Sequence, residues 1–351
     1  MRLPILIVIV ALQACATGPR TFRIAGLPPA NATTEVAVWP KGDNVPRFVY
    51  VGQLTGEDNF EGDASMSGGE FFAWLVGLGQ EQREPMLLRR PQGVAEDQAG
   101  RVWVADVGRQ AVFLFDPAAG ELRVHTQAGG GVSFVSPVGL VPLANGEILV
   151  ADADLAQVVR LSSEGTPLNR FGEGVLLRPT GIAVDETGGR IYVADTRANA
   201  IQVFDNVGNP LYRFGGQGAG LAQLNAPTYL TISDGQVFVT DTLNARVEVF
   251  DLDGHFLRSF GERGLYIGNL TRPKGIAASD DGLIYLVESY YDYLLVFDPQ
   301  GHFLLPIGGS GSGPGEFSLP SGVWAGRGGR VYLSDMLNAR VAVFQFLGGT
   351  P

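Results

Sequence analysis

Pro179-Thr180-Gly181-Ile182-Ala183-Val184-Asp185, followed closely by Ile191-Tyr192-Val193-Ala194-Asp195, sets the pattern on which most of the chain is built. Two short apolar runs, each closed by an acid and separated by a glycine-containing turn, read as two strands of a hairpin. The opening recurs as Pro91-Gln92-Gly93, Pro137-Val138-Gly139, Pro227-Thr228-Tyr229, Pro273-Lys274-Gly275 and Pro320-Ser321-Gly322, so successive prolines stand 46, 42, 48, 46 and 47 residues apart. Each opening leads to a second apolar strand ending in an acid: Asp106, Asp152, Asp195, Asp241, Glu288 and Asp335. A third apolar stretch follows, at residues 201–204, 247–250, 294–297 and 341–344. An Asp-x-x-Gly turn such as Asp251-Leu252-Asp253-Gly254 then leads into a fourth strand. Runs like Ile191-Tyr192-Val193-Ala194 do not alternate apolar with polar, so both faces of each sheet should be buried. Four short strands per unit, punctuated by Gly, Asp and Pro, predict propeller blades over helical repeats. A linear β-solenoid is the alternative.

The two ends of the chain sharpen the choice. After Phe344 only residues 345–351 remain, too few for the sixth unit to supply its own fourth strand. Arg47-Phe48-Val49-Tyr50-Val51-Gly52, upstream of the first unit, has the fourth-strand pattern of residues 168–172, 211–215, 256–261 and 303–308. The expected architecture is all-β: a six-bladed β-propeller of four-stranded blades, its last blade closed by an N-terminal strand. Such closure removes the open edges of a sheet array. One short helix is expected before blade one, inside the insertion at residues 55–90. There Ser67-Gly68-Gly69-Glu70 has capping-box spacing, and Phe71, Trp74, Leu75 and Leu78 share one helical face.

Composition agrees with a globular chain, 45% hydrophobic and 17% charged, with 49 glycines and 21 prolines to serve many turns. The net charge is −11. Basic residues are scattered among acids without a stripe, which argues against nucleic acid as a partner.

Residues 3–12 form an apolar run behind Arg2, half of the roughly 20 residues a spanning helix needs. Leu12-Gln13-Ala14-Cys15 follows, and Cys15 is the only cysteine, so an internal disulfide is ruled out. The segment resembles bacterial lipoprotein signals, although Gln13 departs from the usual small residue. The resemblance implies cleavage before Cys15 and lipidation of its thiol. Residues 1–14 are then a signal peptide, 15–35 a lipidated tether, and 36–351 the propeller. Ala16 after the cysteine implies, by the same resemblance, sorting to the outer membrane of a bacterial cell envelope. An ordinary secretory signal with an incidental cysteine is the alternative.

The phrases at 181–185 and 191–195, together with Asn338-Ala339-Arg340-Val341-Ala342-Val343-Phe344, resemble NHL repeats over residues 91–344. The resemblance implies a fold more strongly than a function, because NHL proteins include ubiquitin-ligase recognition domains, a peptide-amidating lyase and bacterial envelope proteins. The order of Trp39-Pro40, residues 46–50, an insertion and six repeats is most similar to the envelope group. Related propellers also imply an alternative, a metal-dependent lyase or lactonase with Ca²⁺ or Zn²⁺ in the central channel. Against it, His255 and His302 follow the glycine of an outer turn and His125 falls in an outer strand. Candidate oxygen ligands Glu96, Asp97 and Asp185 come from two blades only. No catalytic residue, metal ligand or cofactor is therefore assigned.

The acids that end the second strands recur in every unit and are read as structural, accepting local backbone hydrogen bonds or pairing with Arg246 or Arg340. Departures from the repeat are more informative. Blade five carries Glu288-Ser289-Tyr290-Tyr291-Asp292-Tyr293 where other units have small residues, Asn and Arg. Tyr290, Tyr291, Asp292 and Tyr293, with Lys274 and Arg109 on the same face, are the expected partner-binding residues. The expected role is a monomeric propeller, held at the membrane by its N-terminal lipid, that binds another envelope protein or a glycan.

Overall fold

The structure is a computed structural model that describes residues 20–24, 36–42, 44–61 and 84–349. The expected Cys15 and the helix expected near residues 67–78 lie outside the described residues. Among the described residues, helical structure is limited to three short 3-10 turns, Glu57–Asn59, Thr242–Asn244 and Arg327–Gly329. No helix there is long and apolar enough to cross a membrane.

Six antiparallel sheets form the body, five of them with their strands hydrogen-bonded in chain order and the sixth built from both ends of the chain. Blade one is typical: Pro91–Glu96 innermost, then Val102–Asp106, Ala111–Asp116 and Glu121–His125 outermost. The innermost strands of the other blades are Pro137–Pro142, Pro179–Asp185, Pro227–Ser233, Pro273–Ala278 and Pro320–Ala325. Each inner strand packs on the next, and the sixth on the first, so the array is a ring and not a row.

The crowding of these strands explains the glycine of the Pro-x-Gly opening. A Cβ at Gly93 would stand 2.2 Å from the Val138 carbonyl oxygen, and one at Gly322 would stand 2.3 Å from that of Gln92. Only glycine lets neighbouring backbones approach so closely. Blade four replaces this glycine with Tyr229, whose ring goes elsewhere.

Second and third strands are buried on both faces, as the unbroken apolar runs require; Val102–Asp106 and Ala111–Asp116 have no exposed position. Trp103, Tyr192, Phe204 and Phe250 are among the large side chains wholly buried between sheets. Apolar burial of this extent, at roughly 25 cal/mol per Å², is the main favourable term holding the ring together.

Blade six is completed by the N-terminal segment. Phe48–Leu54 pairs antiparallel with Arg340–Phe346, in a register that sets Gly52 opposite Val343 and Phe48 opposite Phe346. A fifth strand unforeseen in the sequence, Val38–Trp39, pairs with the outer side of this clasp.

Part of the stretch read as tether is also docked. Thr21–Phe22 pairs with Phe60–Glu61, and the Phe22 ring lies 5.2 Å from that of Phe60. Buried Asn59 ties the two segments: its Nδ2 donates to the carbonyls of Arg23 and Gln53 while its Oδ1 accepts from the Thr55 and Gly56 amides.

Candidate functional site

The inner strands begin at one end of the ring, here the upper end. The loops entering each blade and those joining second to third strands share that end, and the turns after the inner strands lie at the lower end. The recurrent acids are spent on fixing upper loops. Asp152 accepts the amides of Val135 and Ser136 at 2.8 and 2.9 Å, and Asp195 those of Leu177 and Arg178 at 2.8 and 2.9 Å. Asp106 and Glu288 do the same with Arg89 and Arg90, and with Thr271 and Arg272.

In blades four and six the carboxylate also takes a side-chain pair. Asp241 accepts from Asn244 Nδ2 at 2.6 Å and Arg246 Nε at 2.9 Å, and Asp335 from Asn338 Nδ2 at 2.7 Å and Arg340 Nε at 2.9 Å. Burial pushes both carboxyls above their ordinary pKa, against the pull of these donors.

The residues needed for metal chemistry are dispersed. His255 Nδ1 lies 3.0 Å from Asp251 and His302 Nδ1 2.8 Å from Asp298, both in exposed outer turns. His125 stacks on Trp103 at the edge of blade one, and burial, then Arg123, lowers its pKa. Asp97 is buried under Arg101 Nε at 2.8 Å and Trp103 Nε1 at 3.0 Å, while Glu96 accepts the Arg327 amide and Asp185 the Gly188 amide. Among the described residues no three His, Cys, Asp or Glu side chains are grouped to hold a metal ion. These residues do not fit a metal-dependent site.

The six expected binding residues separate into different environments. Tyr290 is 56% exposed; its ring meets that of Tyr291 edge-on at 4.8 Å, and the Arg272 guanidinium lies 5.9 Å from its centre. Tyr293 opens the strand Tyr293–Phe297 and packs half-buried against the core of the blade. Asp292, with a left-handed φ of 58°, accepts the Leu319 amide at 2.8 Å and the Ser310 hydroxyl at 2.7 Å, fastening blade five to the loop entering blade six. Lys274 sits half-buried at the start of its inner strand, its pKa held down by burial and then by Arg272. Arg109, on blade one, is exposed and donates to the Leu87 carbonyl at 2.8 Å.

A further group of exposed apolar residues was not singled out in the sequence. Leu265 and Tyr266 are each 84% exposed, and Ile267 is exposed beside them in the loop entering blade five. Leu177, Leu221, Leu243 and Leu337 are exposed in other upper loops. The signal was legible as a contrast: Gly264-Leu265-Tyr266-Ile267-Gly268 occupies the loop positions that read Gly218-Ala219-Gly220-Leu221-Ala222 before blade four. Apolar side chains are also exposed on outer strands and lower turns, at Val207, Leu211 and Leu257, so what distinguishes the loop entering blade five is its three adjacent large residues.

Residues 176–204 match the NHL repeat family and residues 268–350 match a 6-bladed beta-propeller family. The chain is a six-bladed β-propeller that carries an NHL repeat at residues 176–204. The propeller is 28% identical over 131 residues to Protein brain tumor of Drosophila melanogaster, a match covering 36% of this chain and 12% of that protein. It is 30% identical over 102 residues to Peptidyl-alpha-hydroxyglycine alpha-amidating lyase 1 of the same species, covering 27% of this chain and 18% of the lyase. It thus spans less than a fifth of the length of either relative. Among solved structures, a streptogramin B lyase superposes with a TM-score of 0.57 at 14% identity, covering 74% of this chain and 94% of that one. That likeness is one of fold.

Proposed function

We propose that this propeller is a lipid-anchored binding protein of the bacterial cell envelope whose upper face docks another envelope protein. The observation that carries the reading is the run Leu265, Tyr266 and Ile267, three adjacent large side chains exposed in the loop entering blade five, the blade that also carries the Tyr290–Tyr291 pair. Burying such side chains against a partner gains about 1.5–3 kcal/mol each, and aromatic anchors beside them supply contact area for little lost entropy. Aliphatic Leu and Ile favour a protein partner over a glycan, which recruits aromatic stacking and polar groups. The two lyases among the similar proteins motivate a catalytic reading, but the recurrent acids, His255 and His302 are already engaged in holding loops and turns, and His125 lies alone against Trp103. Anchoring rests on the sequence of residues 3–15, with Cys15 as the lipid acceptor.

The test is crosslinked co-purification from membranes, comparing the native chain with a Leu265→Ser/Tyr266→Ser/Ile267→Ser variant and with Tyr290→Ala. The expected result is a discrete partner lost from the variants at unchanged Tm. Identical crosslinked species from all three overturn the docking face. Incorporation of labelled palmitate into the native chain but not into Cys15→Ser tests the anchor separately.

A further inference from the structure

The central channel holds a compartment roofed above and open toward its lower end. Tyr229, standing where the other blades have Gly, reaches from blade four across the axis: its hydroxyl lies 3.2 Å from the Gln92 carbonyl of blade one and 3.3 Å from Ser321 Oγ of blade six. The ring forms a roof. Lower down, Trp324 occupies the inner-strand position that holds Ala95, Val141, Ala183, Thr231 and Ala277 in the other blades. Its half-buried indole packs against the apolar cores between blades six and one, one and two, and two and three, so it too spans the axis.

Between Tyr229 and Trp324 lies a cavity of about 260 Å³, walled by inner-strand backbone and by side chains such as Val141, Val184, Ile232 and Ala278. An enclosed apolar cavity near 150 Å³ takes up benzene; this larger one is open below and lined by backbone polar atoms as well as apolar side chains, which suits an amphiphilic guest. Asp280 is the charged side chain on its wall, and it has no hydrogen-bond or ion-pair partner among the described residues.

The approach from the lower end has one dominant sign. Glu96, Glu186, Asp234 and Asp280 line the mouth, against Arg327 alone. The Arg327 guanidinium donates to the Asp97 carbonyl at 2.9 Å. A mouth of one sign with low-dielectric walls concentrates counter-charged solutes, and an indole at its edge adds attraction for a cation.

We propose that the lower channel binds a small organic cation, an alkylammonium whose hydrocarbon body fills the compartment under Tyr229 and whose charged head meets Asp280 beside Trp324. The site is separate from the upper docking face and is independent of it.

Titration of the full-length chain in nonionic detergent with n-butylammonium, n-butanol and butyrate, read by tryptophan fluorescence and calorimetry, tests the assignment. The expected result is n-butylammonium binding at least tenfold tighter than n-butanol, with butyrate excluded. Asp280→Asn should erase that preference at unchanged Tm, and Trp324→Phe should remove the fluorescence response while calorimetric heat persists. Equal affinity for the amine and the alcohol, a preference that survives Asp280→Asn, or a fluorescence response that survives Trp324→Phe overturns it.

Discussion

Tyr50 and Phe344 face each other across the ladder that closes the ring, their rings 5.6 Å apart and inclined at 71°. One belongs to the start of the chain and the other to its end, so the pair exists only when the propeller is shut. Phe48, on the same strand, is fully buried and touches Tyr285 of blade five as well as Phe346. Phe48→Ala should cost about 3–5 kcal/mol, the range for deleting a buried aromatic ring. Deleting residues 46–52 should expose the edge of Arg340–Phe346 and yield aggregated, protease-sensitive protein. Thermal melts and limited proteolysis check both, and a deletion variant with a native melt contradicts closure by this strand.

The recurrent acids make a second test of structural against catalytic roles. Asp152 is wholly buried and accepts four backbone amides, from Val135, Ser136, Asp154 and Leu155. Asp152→Ala strands those donors, and a loss of about 3 kcal/mol is expected. Chemical denaturation measures it. Because the same device recurs in Asp195, its alanine variant should lose a similar amount, whereas a reacting carboxylate would leave stability nearly unchanged.

Glu248 gives the protein a pH dependence of unusual sign. Its carboxylate is fully buried and lacks a well-aligned hydrogen bond: Arg246 Nη2 lies 2.8 Å from Oε1, and the Ala222 amide adds a weak backbone contact that favours the charged form. Burial outweighs that guanidinium, already bound to Asp241 and three carbonyls, and raises the pKa to about 7. A carboxyl with a folded pKa above its unfolded value of 4.5 holds its proton longer in the folded state. Its contribution is therefore full below pH 4.5 and declines as pH rises toward 7. Glu248→Gln should raise Tm by a few degrees at pH 8 and leave it unchanged at pH 4. Melts across that range decide, and an equal shift at both ends refutes the assignment.

The blades were legible because each unit repeats its turns and strands at a nearly constant spacing, and Phe48–Leu54 was recognisable as the missing fourth strand by its match to the others. Val38–Trp39 was not, since two residues carry no periodicity and find their place only once the clasp exists. Docking of Phe22 on Phe60 escaped notice for the same reason. Tyr229 and Trp324 were visible as large residues at small-residue positions, but their meeting across the axis depends on ring geometry that no local pattern encodes. The tyrosines of blade five stood out as a departure from the repeat. Which of them face outward depended on the register of Tyr293 with Glu288 and Gly308.

That register separates two neighbours that the sequence joins. Tyr290 is exposed, and its contacts are Tyr291 and Arg272 at the surface, so Tyr290→Ala removes little packing and stability should fall by less than about 0.5 kcal/mol. Asp292 instead bridges to Leu319 and Ser310 across the junction of blades five and six, from a left-handed backbone position that Asp tolerates better than Ala. Asp292→Ala should therefore cost roughly 2 kcal/mol, combining the lost bonds with added backbone strain. If the tyrosine pair is a contact of the docking face, partner capture falls in Tyr290→Ala at native stability, and in Asp292→Ala only in proportion to unfolding. Measuring Tm and capture on the same preparations distinguishes the two, and a Tyr290→Ala variant that melts early yet captures normally reverses the assignment.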